Sequence, residues 1–127
     1  MTIIPNVRPL PCFYLHSYFS GVDYRNQYSS MRHQFNTLLP SVRGLVYNGD
    51  ADSVCNFLTG QKFVASLNRK EMADRRSWIV DDQVGGFVKE YENVTFMTVK
   101  NAGHMVPTNA PGPALQMISN FLSNKPQ

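Results

Sequence analysis

Two short polar segments in this 127-residue chain hold residue types that can move a proton. Gly49-Asp50-Ala51-Asp52 follows the apolar run Gly44-Leu45-Val46-Tyr47, and Gly103-His104-Met105-Val106-Pro107 closely follows the run Val94–Val99. An Asp on one loop and a His on the next can form the orienting half of a catalytic triad. The carboxylate selects the imidazole tautomer and stabilises the imidazolium formed during proton transfer. One large hydrolase class carries its triad in the chain order Ser, Asp, His, and Asp52 precedes His104 in agreement with it. Plainer readings stay open beside this one. An Asp after Gly at a strand end also serves as a turn residue or helix N-cap. A His beside Gly can be a loop residue satisfied by its neighbours. A metal site built from Asp50, Asp52 and His104 has no recognised ligand spacing behind it.

Such loops need rigid elements behind them. Met31, Phe35 and Leu38/Leu39 recur at helical spacing after Tyr24 and Tyr28. With Asp23 as N-cap and Pro40 as stop, they predict a helix over about 23–39. Gly44–Tyr47 reads as a short buried strand ended by Asn48-Gly49-Asp50 turn chemistry, and Phe57, Phe63, Val64 and Leu67 predict a helix over about 56–68. Trp78-Ile79-Val80 and Phe87–Tyr91 flank Asp81–Gly86 as two short strands of a hairpin, with Trp78 and Tyr91 read as packing residues. Val94–Val99 is the most strand-like run, and a last amphipathic helix over about 111–123 carries Leu115, Ile118, Phe121 and Leu122. The order helix, strand, helix, hairpin, strand, helix fits the last part of an α/β sheet. In open α/β sheets, loops at the carboxyl ends of strands are where active sites form.

Composition narrows the function classes. Hydrophobic residues at 43% and charged residues at 17% argue for a folded chain. Twelve Lys and Arg against nine Asp and Glu leave a net charge of only +3. The densest basic group, Arg69, Lys70, Arg75 and Arg76, is interrupted by Glu71 and Asp74, which argues against nucleic-acid or anionic-membrane binding. No stretch approaches the roughly 18 apolar residues of a membrane span. The N-terminus has no basic segment ahead of its apolar residues, and Pro5, Pro9 and Pro11 break it, so it does not read as a signal peptide. Two cysteines, Cys12 and Cys55, make no disulfide framework. Asn93-Val94-Thr95 is a glycosylation triplet, meaningful only in a secreted chain.

The runs from Leu45 to Leu67 and from Phe87 to Pro107, with Asp23–Met31 upstream, closely resemble the C-terminal part of serine carboxypeptidases, especially their lysosomal cathepsin A-like branch. The resemblance implies the C-terminal portion of an α/β-hydrolase sheet, incomplete in this sequence. It implies that Asp52 is the triad carboxylate and Asp50 a turn or structural residue. His104 matches the general base and later general acid, and Met105 a residue beside the pocket for the departing C-terminal amino acid. Cys55 matches a cysteine that tends to be unpaired and close to the active site, a small buried hydrophobe being the plain alternative. No metal or organic cofactor is implied. The implied substrate is a peptide, and the implied location lysosomal, vacuolar or secreted. A homodimer is an option for the intact enzyme.

The nucleophile is what the sequence lacks. No Ser here has Gly two residues to each side, so the turn that carries the family's catalytic Ser is absent. This sequence alone is therefore expected to be inactive, its Ser supplied by a missing N-terminal part or chain. Residues 1–21 depart from the resemblance, which divides the chain into an irregular segment 1–21 and a carboxypeptidase segment 22–127. His16 stands about where the family carries a Cys, with Cys12 a few residues too early. The loss of similarity there suggests a truncated gene, an alternative start or an incomplete gene model; truncation would expose a sheet edge and an apolar face and favour self-association. The alternative function is a non-catalytic remnant that binds another hydrolase chain through that edge. A Cys55–His104 hydrolase is a third, with no elbow geometry behind it.

Overall fold

The most strand-like run lies inside the sheet of the structure, a computed structural model that describes residues 28–127. The elements are α1 (Arg32–Leu38), β1 (Gly44–Gly49), α2 (Phe57–Ser66), β2 (Arg76–Val80), β3 (Gln83–Tyr91), β4 (Val94–Val99), α3 (Val106–Asn109) and α4 (Pro111–Leu122). One sheet runs in the order β1-β4-β3-β2, with β1 parallel to β4 and the other two pairs antiparallel. This is the mixed α/β fold expected. The segment 1–21, the Asp23 cap and the pairing of Cys12 lie outside the described residues.

Because side chains alternate across a strand, β4 feeds two cores. Val94 and Phe96 pack with Val64 and Leu67 of the α2 segment and with Leu39. Met97 and Val99 pack on the other face with Ala114 and Met117 of α4, together with Trp78, Val80 and Val88. Helix α2 starts cleanly because the Asn56 side chain accepts from the Leu58 amide at 2.8 Å. The buried Thr98 pairs its hydroxyl and its carbonyl: the hydroxyl accepts from the Phe87 amide and the carbonyl from the Trp78 indole, each at 2.9 Å.

Several boundaries differ from expectation. Helix α1 begins at Arg32, and residues 28–31 are not helical. Ser30 Oγ accepts from the Arg32 amide at 3.2 Å, a local bond that competes with helix at this point. The hairpin turn is Asp81-Asp82 alone, both left-handed with φ of 48° and 58°, as a two-residue primed turn requires. Gly85 and Gly86 belong to β3 instead, at a register shift opposite Trp78. Gly86, at φ 151°, lets the Thr98 carbonyl approach so closely that an added Cβ would stand 1.9 Å from it. Short helix α3 lies where only a loop was expected. On α4 the buried residues are Ala114 and Met117, while Leu115, Ile118 and Leu122 are exposed.

Candidate active site

Strands β1 and β4 end side by side, Gly49 opposite Val99, so the loops that follow meet at one end of the sheet. The approach is close because Gly49 has no side chain. A Cβ there would stand 2.1 Å from the Ala102 carbonyl oxygen and 2.4 Å from that of Gly103. Backbone bonds stitch the loops together: the Asp50 amide donates to Val99 O at 3.1 Å and the Ala51 amide to Ala102 O at 3.0 Å.

The two aspartates then diverge. Asp50 is exposed, and its Oδ1 accepts from the Asn101 amide at 2.7 Å, tying one loop to the other. Asp52 is buried, and its Oδ2 lies 3.0 Å from His104 Nδ1. Its Oδ1 accepts from the amides of Val54 and Cys55, each at 2.9 Å. The carboxylate is thus held by the turn that follows it. The His104 side chain is 58% exposed, against 5% for that of Asp52.

Burial opposes ionisation of Asp52, but the Cys55 amide, the His104 ring and the Val54 amide together outweigh it and lower its pKa. A carboxyl whose folded pKa is lowered contributes stability above its unfolded value, about 3.9, and loses that contribution as pH falls through the folded value. Urea unfolding at stepped pH should therefore show a loss below about pH 4 that is absent from Asp52→Asn. Parallel profiles for the two proteins would remove Asp52 as the source.

Met105 is exposed beside His104, and its carbonyl accepts from the Thr108 and Asn109 amides to start α3. Cys55 is disulfide-bonded, not unpaired as the resemblance implied, so its sulfur is no thiolate nucleophile. Asp52, Cys55 and His104 bring ligand-type atoms within 4.8 Å of one another. A disulfide sulfur is not a thiolate ligand, however, and Asp52 Oδ2 and His104 Nδ1 are spent on each other. The donor chemistry does not make a metal site.

Two braces escaped the sequence reading. Asn48 Nδ2 donates to Cys55 O at 3.1 Å, which supports the turn carrying the Asp52 donors. Asn109 Oδ1 accepts from the Gly103 amide at 3.0 Å, which fixes the residue before His104. Both Asn residues sit in segments that read as ordinary loop, and nothing in their spacing marks them.

Residues 16–124 match the serine carboxypeptidase family, and the chain belongs to that family. Its fold and the paired loops agree with that class. The lysosomal protective protein of Mus musculus is 45% identical over 124 residues, covering 92% of this chain and 26% of that protein. Serine carboxypeptidase-like 36 of Arabidopsis thaliana is 42% identical over 86 residues, covering 67% of this chain and 18% of that protein. A solved structure of Kex1(Δ)p, a prohormone-processing carboxypeptidase from Saccharomyces cerevisiae, is 30% identical with a TM-score of 0.55. That match covers 73% of this chain and 22% of the yeast chain. The chain spans about a quarter or less of the length of these relatives.

Proposed function

We propose that residues 22–127 are the C-terminal segment of a serine carboxypeptidase domain and supply the Asp and His of its triad. The observation that carries this reading is the 3.0 Å contact of Asp52 Oδ2 with His104 Nδ1, made by a buried carboxylate whose other oxygen is held by two amides. A Ser from outside these 127 residues attacks the carbonyl of the last peptide bond. His104 takes the Ser proton on Nε2 and returns it to the leaving amino acid, while Asp52 stays ionised and keeps the Nδ1–H tautomer. Met105 flanks the pocket for the departing residue. Cys55 contributes its amide to Asp52, and contact between its side chain and substrate has no support in its bonded, half-buried state. The family resemblance implies that the intact enzyme works in lysosomes, vacuoles or the secretory route, and the name of the lysosomal relative supports the first of these.

The part bearing the Ser has surfaces to meet. The outer edge of β1 has no strand partner among the described residues, and Leu115, Ile118 and Leu122 form an exposed stripe on α4. No helix among the described residues is long and apolar enough to cross a membrane. The test mixes this chain with a Ser-bearing family segment and follows release of the terminal amino acid from a blocked dipeptide. Cleavage that is lost with His104→Ala supports the triad reading. Tight binding without cleavage would instead support the non-catalytic remnant.

A further inference from the structure

We infer that Asn93 is an N-glycosylation site, an inference that rests on the proposed secretory or lysosomal route of the protein. Asn93-Val94-Thr95 is the one Asn-x-Ser/Thr triplet in the sequence. The structure places it at the tip of a hairpin: Tyr91 pairs with Val94, which leaves Glu92 and Asn93 as a two-residue connection between β3 and β4. Asn93 is exposed, and its carboxamide has no hydrogen-bond partner among the described residues. Its backbone, by contrast, is fixed, with the carbonyl accepting from the Gly44 amide at 2.8 Å.

The turn accounts for an Asn at this position, since φ of 61° is left-handed and Asn tolerates it. It makes no demand on position 95, where the triplet supplies its hydroxyl. Open space beside the carboxamide suits a bulky substituent: a depression of about 500 Å³ lined by Arg43, Glu92, Asn93 and Phe121 borders it. The location is also compatible with catalysis. Asn93 precedes β4 and His104 follows it, so the length of the strand, about 20 Å, separates a sugar there from the Asp52–His104 pair.

The donor is an oligosaccharide linked to a polyprenyl diphosphate. The Asn93 carboxamide nitrogen forms a bond to the anomeric carbon and loses a proton. The bond from that carbon to the diphosphate oxygen breaks, and the polyprenyl diphosphate leaves. No electrons are transferred to an outside acceptor.

The test captures the native protein with an antibody to Asn109–Gln127, treats it with peptide-N-glycosidase in heavy-oxygen water and maps the peptides. The expected result is a mobility shift, with Asn93 recovered as isotopically labelled Asp. In a full-length expressed protein, Asn93→Gln and Thr95→Ala should both lose the shift, and Thr95→Ser should keep it. The serine variant guards against a misfolded mutant. An unlabelled Asn93 in protein recovered from the lysosomal or secreted fraction overturns the site and leaves the family reading intact. An unlabelled Asn93 in protein found only in the cytosol overturns both the site and the proposed route.

Discussion

Replacing Asp52 with Asn in the complete enzyme is expected to lower kcat by about 10⁴-fold with little change in KM. The reason lies in how the carboxylate is held. Oδ1 accepts from two backbone amides, so an Asn side chain must keep its carbonyl oxygen there. That places the amide NH₂ against His104 Nδ1, where the carboxylate oxygen now stands at 3.0 Å. The NH₂ can only donate, so Nδ1 becomes the acceptor and the ring proton moves to Nε2. In the proposed mechanism Nε2 is the nitrogen that accepts the Ser proton. The variant keeps its fold and binds peptide while holding the wrong tautomer. Steady-state kinetics on a blocked dipeptide measure this, and a kcat within tenfold of wild type would remove Asp52 from the mechanism.

The second large effect comes from a single methyl group. Gly49→Ala puts a Cβ 2.1 Å from the Ala102 carbonyl oxygen and 2.4 Å from that of Gly103, both backbone atoms that cannot rotate away. The ends of β1 and β4 must separate by about 1 Å to relieve the overlap. Overpacking against backbone in this way costs about 3 kcal/mol. The same separation moves His104 relative to Asp52, and a misplacement of about 1 Å can cost about 10²-fold in rate. Thermal unfolding and activity should therefore fall together. An unfolding midpoint equal to wild type would show that the two loops are less tightly joined than the structure has them.

Part of the site is legible in the sequence because it depends on short-range chemistry. A polar loop after an apolar run reads as a strand end, and the order of Asp52 before His104 is a matter of counting. The choice between Asp50 and Asp52 rested on family resemblance. In the structure the two face different neighbours: Asp50 ties down the Asn101 amide, while Asp52 turns inward onto two amides and an imidazole. Sequence spacing does not reveal which way each side chain leaves the turn.

The elements show the same division. Strands β1 and β4 could be recognised from their apolar runs, but their parallel pairing, which brings residues 52 and 104 together, is long-range. The glycines Gly85 and Gly86 read as turn residues, yet they lie in β3 because Trp78 and the Thr98 carbonyl need the space a side chain would fill. The period of α4 was visible, but the residues it buries are Ala114 and Met117, and the larger Leu115 and Leu122 face outward. Hydrophobicity alone cannot choose between two apolar stripes on one helix. The sequence by itself determined which residues could do chemistry and which class of elements would carry them. Only the tertiary structure decided which aspartate meets the histidine and which face of α4 is buried, because each depends on contacts between residues far apart in the chain.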